Sequence, residues 1–443
     1  MRGILLALAI LFANCSAPAT ATKPNDQPTG TTNANNTQVA ASTSTAQLGD
    51  QVIQWNRILL EIVRTPPAAG AKPSTIHPTR SFAIMHAAIY DAVNAIERTH
   101  SDYLIHVRTS PQASPEAAVA TAAHDTLIAL YPKQKEMLDA RLNESLAQIP
   151  DGPRKDQGIR VGLETAQRIL ALRSKDGSDA QPSPYVAGTN PGDYQKTPPN
   201  FPEPVFTHWS HVTPFTLTSA NQFRPGPRPS LTSAEYTAAF KEVKELGIKD
   251  STTRTPDQTE RAKFWSGKIQ NYWNEIAQTA ALSHNNTLAQ NARLFALLNL
   301  AFADDVIAFY DAKYTSNFWR PITAIRAADT DNNPDTTADP NWLPVADSPP
   351  DPAYPGAHSV ISASGASVLS SFFGSDDVSF SVRSETSPGV ERSFNSFTAA
   401  AEEAGLSRIY IGHHYRTDHT AGQKQGREIG KYVFQNFLVA RRR

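Results

Sequence analysis

Between Leu288 and Tyr314 the chain is apolar on nearly every side of a helix. A helix with one apolar stripe can rest on a core, but one without a polar face must be wrapped all round by other elements. This segment therefore predicts a buried central helix. The neighbouring segments supply partners. Val52, Ile53, Trp55, Ile58, Leu59, Ile62 and Val63 recur at helical spacing, as do Phe82, Met85, Ile89, Val93 and Ile96. Ser114-Pro115-Glu116 reads as a helix start, with Ser as N-cap and Pro in the first turn. Beyond Pro132, one helix carries Met137, Leu138, Leu142, Leu146 and Ile149, and another carries Ile159, Leu163, Ala166 and Ile169. Capping boxes are expected at Thr232 with Glu235 and at Thr255 with Gln258. Phe264, Trp265, Ile269, Tyr272, Trp273 and Ile276 form an aromatic face that reads as core. No period-2 strand run and no fixed repeat is evident. The expected fold class is all-α.

The ends and the loops divide the chain further. Residues 1–21 read as an export signal, with Arg2, a short apolar run from Ile4 to Ala13, and Ala19-Thr20-Ala21 as the cleavage site. Secreted or periplasmic placement follows. Cys15, the only cysteine, could instead carry a lipid, but Asn14 before it is not the usual small residue. Residues 22–47 are rich in Thr, Asn, Ala and Ser, with almost no large apolar side chains, and read as a disordered linker. Residues 48–285 are expected to form an N-terminal helical domain containing a long Pro/Gly-rich loop, 175–231. Its interleaved aromatics predict a segment packed down as a pocket wall or a structural wrap. Residues 286–443 are the expected catalytic domain. A net charge of -1 gives no long-range basic field for nucleic acid. No apolar run after the signal is long enough to span a membrane.

Four of the 12 histidines fall between His358 and His419, and the same region holds a sparse set of cations. Lys313 ends the apolar helix, and Arg320 follows seven residues later, before Pro321. His358 sits in a turn, Pro355-Gly356-Ala357-His358, that opens a helix of small residues. Arg408 precedes His414 by six residues, and Asp418 follows His414 by four. Taken singly, a lysine at a helix end is a solvated cap, and a His/Asp pair four apart is an ordinary helical contact. Together they are harder to set aside, because cations at the end of an apolar helix should not be buried without an anion to pair with.

Lys313-x6-Arg320-Pro321, Pro355-Gly356-Ala357-His358 and Ser407-Arg408-x5-His414-x3-Asp418 resemble, in order and spacing, the three-part signature of the type 2 phosphatidic acid phosphatase and vanadium haloperoxidase superfamily. Asn317-Phe318-Trp319-Arg320-Pro321 and Pro352-Ala353-Tyr354-Pro355 are similar to its soluble haloperoxidase branch. The resemblance implies that Lys313, Arg320 and Arg408 bind the oxygens of vanadate or phosphate, aided by backbone N–H groups around Gly356 and Ala357. It implies that His414 ligates vanadium or attacks phosphorus, that His358 is the acid/base, and that Asp418 orients His414. The fold implied is an all-α one built of helical bundles, and the cofactor implied is vanadate. The function implied is oxidation of halide by hydrogen peroxide, bromide before chloride. The alternatives are a soluble acid phosphatase with a phosphohistidine intermediate and a non-catalytic oxyanion-binding protein. Small molecules (peroxide, halide or a phosphate ester) are the expected partners, with a homo-oligomer possible.

Two departures from the family pattern stand out. Its usual Pro-Ser-Gly-His is Pro-Gly-Ala-His here, so Gly356 removes a hydroxyl. Asp351 lies where haloperoxidases tend to place an aromatic or imidazole group near the halide, and a carboxylate there would repel halide. His413 adds an imidazole beside His414 that either tunes the site or faces solvent.

Overall fold

The computed structural model describes residues 49–65, 76–182 and 184–441. The export signal, Cys15 and the linker lie outside the described residues. Among the described residues thirteen α-helices follow in order: α1 (Gln51–Arg64), α2 (His77–Glu97), α3 (Pro115–Leu130), α4 (Lys135–Ala147), α5 (Pro153–Arg173), α6 (Ala234–Leu246), α7 (Pro256–Phe264), α8 (Ile269–Ser283), α9 (Leu288–Ser316), α10 (Pro321–Arg326), α11 (Ala357–Phe373), α12 (Phe397–Tyr410) and α13 (Arg416–Asn436). Among the described residues, no helix is long and apolar enough to cross a membrane.

The axis is α9. Its N-terminus is fixed by a capping box in which the Thr287 hydroxyl takes the Gln290 N–H and the Gln290 side chain takes the Thr287 N–H. It stays buried from Leu294 to Tyr310 and ends at Asn317, whose left-handed backbone (φ 47°) turns the chain toward Arg320. Helices α1, α2, α8, α11 and α13 all pack on it. One hydrophobic cluster runs from Val52 to Leu438, so residues 48–285 and 286–443 share a core. A second cluster, which includes Tyr236, Phe318, Trp319, Trp342, Tyr354 and Tyr415, surrounds the start of α10.

The caps expected at Ser114 and Thr255 are present. The one placed at Thr232 is not. Thr232 bonds to the Ser230 hydroxyl, and it is Ser233, one residue on, that accepts the Tyr236 N–H at 3.1 Å. That register buries Tyr236, Phe240 and Val243 together. The structure also contains a hairpin that the sequence reading lacked: β1 (Phe380–Arg383) pairs antiparallel with β2 (Glu391–Phe394), Phe380 opposite Phe394. Four-residue strands are too short to establish an alternating pattern against the helical background.

Two devices bring the signature segments together. On α13, Gly422, Gly426 and Gly430 face α11, and a Cβ at Gly426 would stand 2.0 Å from the Val360 carbonyl oxygen. This stripe lets the two helix backbones touch, which carries the start of α13 to the start of α11. The second device is the 175–231 loop, which is bound down along α9. Arg224 forms a two-pronged pair with Asp311 at 2.6 and 2.7 Å. The Tyr194 N–H donates to the Asn317 carbonyl, and the Val205 N–H to that of Pro350. Asp304, buried in mid-helix, accepts the N–H groups of Phe215, Thr216 and Leu217.

Candidate active site

Lys313 leaves the last turn of α9, and Arg320 is the residue that caps α10. Gly356 caps α11, Arg408 lies in the last turn of α12, and Asp418 is in the first turn of α13. The turn between α12 and α13 carries His413 and His414. These segments converge on a cavity of about 850 Å³ whose wall includes Lys313, Arg320, Asp351, His358, Arg408 and His414. Ala357 and His413 also reach it, and Phe309, Tyr310 and Ile361 give it an apolar side. Arg383, Ser384, Glu385 and Thr386, at and after the end of β1, contribute another part of the lining.

Burial sets the electrostatics. Lys313 and Arg320 are each 1% exposed. The Lys313 ammonium is pushed down to about 8 by burial, even with Asp351 beside it. The Arg320 guanidinium is engaged at each nitrogen: Nε donates to the Asp351 carbonyl at 2.8 Å, Nη1 to the His413 carbonyl at 2.9 Å, and Nη2 to the Asp351 carboxylate at 2.5 Å. Arg408 differs. Its donors reach Ser407 Oγ, the Ala262 carbonyl and Ser266 Oγ, all uncharged. Burial lowers it to about 10, and among the described residues no carboxylate forms a salt bridge with it.

The imidazoles are held in defined roles. His414 Nε2 lies 3.1 Å from Arg320 Nη1, and its Nδ1 lies 3.0 Å from Asp418 Oδ2. The arginine can only donate, so Nε2 holds a lone pair and Nδ1 carries the proton. Burial, then Arg320 and Lys313, depress the His414 pKa well below the usual value, keeping the ring neutral. The same Asp418 oxygen takes the Tyr415 N–H, and burial raises the Asp418 carboxyl to about 7. His358 Nε2 lies 3.0 Å from the Trp265 carbonyl and so carries a proton there. Burial and then Arg408 push its pKa well down. His413 does not face solvent: its Nε2 meets the Ala346 carbonyl at 3.0 Å, and burial lowers it to about 3.

Gly356 departs from expectation. Its N–H donates to the Asp418 carbonyl at 3.0 Å and is not available to a ligand. Only the Ala357 side of the expected backbone pair, at the first turn of α11, lines the cavity. Asp351 lies in the cation cluster itself. Its Oδ1 receives Lys313 Nζ at 2.8 Å as well as Arg320. Burial raises the Asp351 carboxyl, but Lys313 and Arg320 outweigh it and hold the group below the ordinary value. Sequence reasoning missed three contributors. Tyr310, one turn before Lys313, faces Asp351, and burial and that carboxylate raise its hydroxyl. Trp265 and Ala262, at the end of α7, supply the carbonyls that hold His358 and Arg408. Backbone acceptors leave no trace in residue identity, but Tyr310 falls at helical spacing from Lys313 and could have been found.

Known proteins share this arrangement of chain. A family model described as the VCPO second helical-bundle domain matches residues 293–441. The vanadium chloroperoxidase of Curvularia inaequalis is 24% identical over 491 residues, covering 84% of this chain and 79% of that protein. Among solved structures, a bacterial vanadium-dependent iodoperoxidase is 27% identical, with a TM-score of 0.73 and coverage of 88% of this chain and 96% of its own. A holo-type bacterial vanadium-dependent chloroperoxidase is 16% identical, with a TM-score of 0.64 and coverage of 85% and 96%, and shares the fold.

Proposed function

Because the chain belongs to the vanadium haloperoxidase family, we propose that it binds vanadate in the Lys313/Arg320/Arg408 cluster and oxidises halide with hydrogen peroxide, bromide in preference to chloride. The observation that carries this reading is the His414 ring, neutral and proton-bearing at Nδ1, with its Nε2 lone pair turned toward a set of buried cations. Nε2 is the atom that would ligate vanadium. Lys313, Arg320 and Arg408 would hold the oxygens, the arginines through paired charge-assisted hydrogen bonds. Arg408 is the natural anchor, since it is buried and, among the described residues, no carboxylate pairs with it. The Ala357 N–H adds a helix N-terminal donor.

When bound, vanadate supplies a Lewis-acidic centre that activates peroxide toward halide without changing oxidation state. The chain's own groups do the rest. Asp418 fixes the His414 tautomer, and the surrounding cations keep that ring from taking a proton. His358, neutral at rest, serves first as base. An anion in the cluster would offset the Arg408 charge that depresses its pKa and let it act as acid. The preference for bromide over chloride rests on bromide being the more easily oxidised, since Asp351, a carboxylate on the cavity wall, would disfavour either halide and leave the harder oxidation the more impaired. The same His414 geometry suits a nucleophile on phosphorus, so phosphate-ester hydrolysis is the competing reading. The division at residue 285 is proposed to separate a supporting helical half from the half that holds the reacting groups.

The test is peroxide-dependent bromination with and without added orthovanadate, beside a phosphate-ester assay. Vanadate-dependent bromination, lost in His414→Ala, is the expected result. Ester hydrolysis that vanadate inhibits, with no bromination, would replace this reading by the phosphatase.

A further inference from the structure

Asp351 belongs to none of the three signature segments, yet it occupies their meeting point. One oxygen, Oδ1, is shared by Lys313 Nζ at 2.8 Å and Arg320 Nη2 at 2.5 Å. Both cations are among the most buried in the molecule. The backbone of Asp351 is secured without its side chain: its N–H donates to the Pro349 carbonyl at 2.9 Å, and its carbonyl accepts Arg320 Nε at 2.8 Å. The carboxylate can therefore turn away while the loop stays. Asp351 also lines the cavity, so there is space for it to turn into.

We infer that Asp351 is an internal counter-ion that competes with the oxyanion for Lys313 and Arg320, and so limits how tightly the site holds its anion. The inference rests on the oxyanion cage proposed above. An incoming oxyanion has two options. It can displace the carboxylate, exchanging one set of charge-assisted hydrogen bonds for another with little gain. Otherwise it must share the donors with a negative charge held against the same cations, which is repulsive. Either way the affinity is lower than the cation set alone would give. Arg408, on which no carboxylate sits among the described residues, is left as the main source of net attraction. A purely structural Asp351 that holds Lys313 and Arg320 in place for the anion would act with the opposite sign, because its loss would loosen the donors.

Calorimetric titration with orthovanadate, and separately with inorganic phosphate, distinguishes the two. The proteins are the full chain, Asp351→Asn and Asp351→Ser in chloride-free buffer, each checked for folding by circular dichroism. Removing one unit charge from the donors should tighten both anions by at least about tenfold in both variants. Unchanged or weaker binding in a folded variant would overturn the inference. Arg408→Met tests the underlying cage independently. It should abolish anion binding with either Asp or Asn at position 351. Undiminished binding in Arg408→Met would defeat the cage reading itself, whatever Asp351 does.

Discussion

Asp304 and Asp351 are both buried carboxylates that tie a distant segment to α9, but their donors differ in kind. Asp304 takes the backbone N–H groups of Phe215 at 2.6 Å, Thr216 at 2.6 Å and Leu217 at 3.0 Å, plus the Thr216 hydroxyl. Both of its oxygens are used. Burial raises its pKa in spite of those donors. Asp351 takes both of its cations, two long side chains, on one oxygen, and they outweigh burial and lower its pKa. Backbone donors cannot be reassigned without unfolding the loop, whereas ammonium and guanidinium groups can pass to another anion. Asp304 is thus a fixture, and Asp351 an exchangeable ligand of its own active site.

The same substitution should separate them most. In Asp304→Asn an amide NH2 must face an N–H donor in a sealed interior, and the loss should be about 3–4 kcal/mol in urea unfolding. In Asp351→Asn the side-chain carbonyl can still accept both cations, and the cavity admits solvent, so the loss should be no more than about 1.5 kcal/mol. Equal losses would erase the distinction.

Acid provides a second, smaller test, because it acts on the two sides with opposite sign. His413 is lowered from 6.5 to about 3, and His358 and His414 are also depressed, with burial as the leading cause in each. Below 6.5 the unfolded chain gains protons that the folded one refuses. Stability from these rings is therefore complete above 6.5 and is lost as pH falls toward 3. Asp304, whose folded pKa is raised, contributes with the opposite sign. Urea midpoints between pH 4 and 7 should fall on the acid side. His413→Gln, which keeps a donor for the Ala346 carbonyl, should flatten that limb. An unaltered limb would mean that His413 is not protected from protons.

The smallest effect concerns Gly356. It caps α11 without a side chain, and a Cβ there would approach nothing nearer than 3.4 Å. Gly356→Ser should fit, stabilise the protein by a few tenths of a kcal/mol as a helix cap, and tighten phosphate about threefold through the added hydroxyl. Weaker phosphate binding would place that hydroxyl away from the anion.

How far the sequence foretold these features depended on what carried the information. The burial of α9 was legible because its residues are apolar on every side. The caps at Ser114 and Thr255 were legible because side-chain chemistry announces them. Lys313, Arg320, His358, Arg408, His414 and Asp418 could be grouped by the order and spacing of the signature segments; the first five line one cavity, and Asp418 stands behind His414. The hold of Asp304 on residues 215–217 was not legible, since it joins a carboxylate to backbone atoms far away in the chain. The Trp265 and Ala262 carbonyls were hidden for the same reason: any residue could supply them. The position of Asp351 on the cavity followed from its place before the His358 turn. Its sharing between two cations did not, because that depends on how α9 and the 349–354 segment cross.

The proposed chemistry requires an oxyanion among Lys313, Arg320 and Arg408 with His414 Nε2 beside it. Titration of the wild-type chain and of His414→Ala with orthovanadate, followed by vanadium NMR, addresses that directly. The account predicts one bound vanadate per chain in the wild type, displaced by phosphate, and at least about a hundredfold weaker binding in His414→Ala. Wild-type affinity in His414→Ala would contradict it.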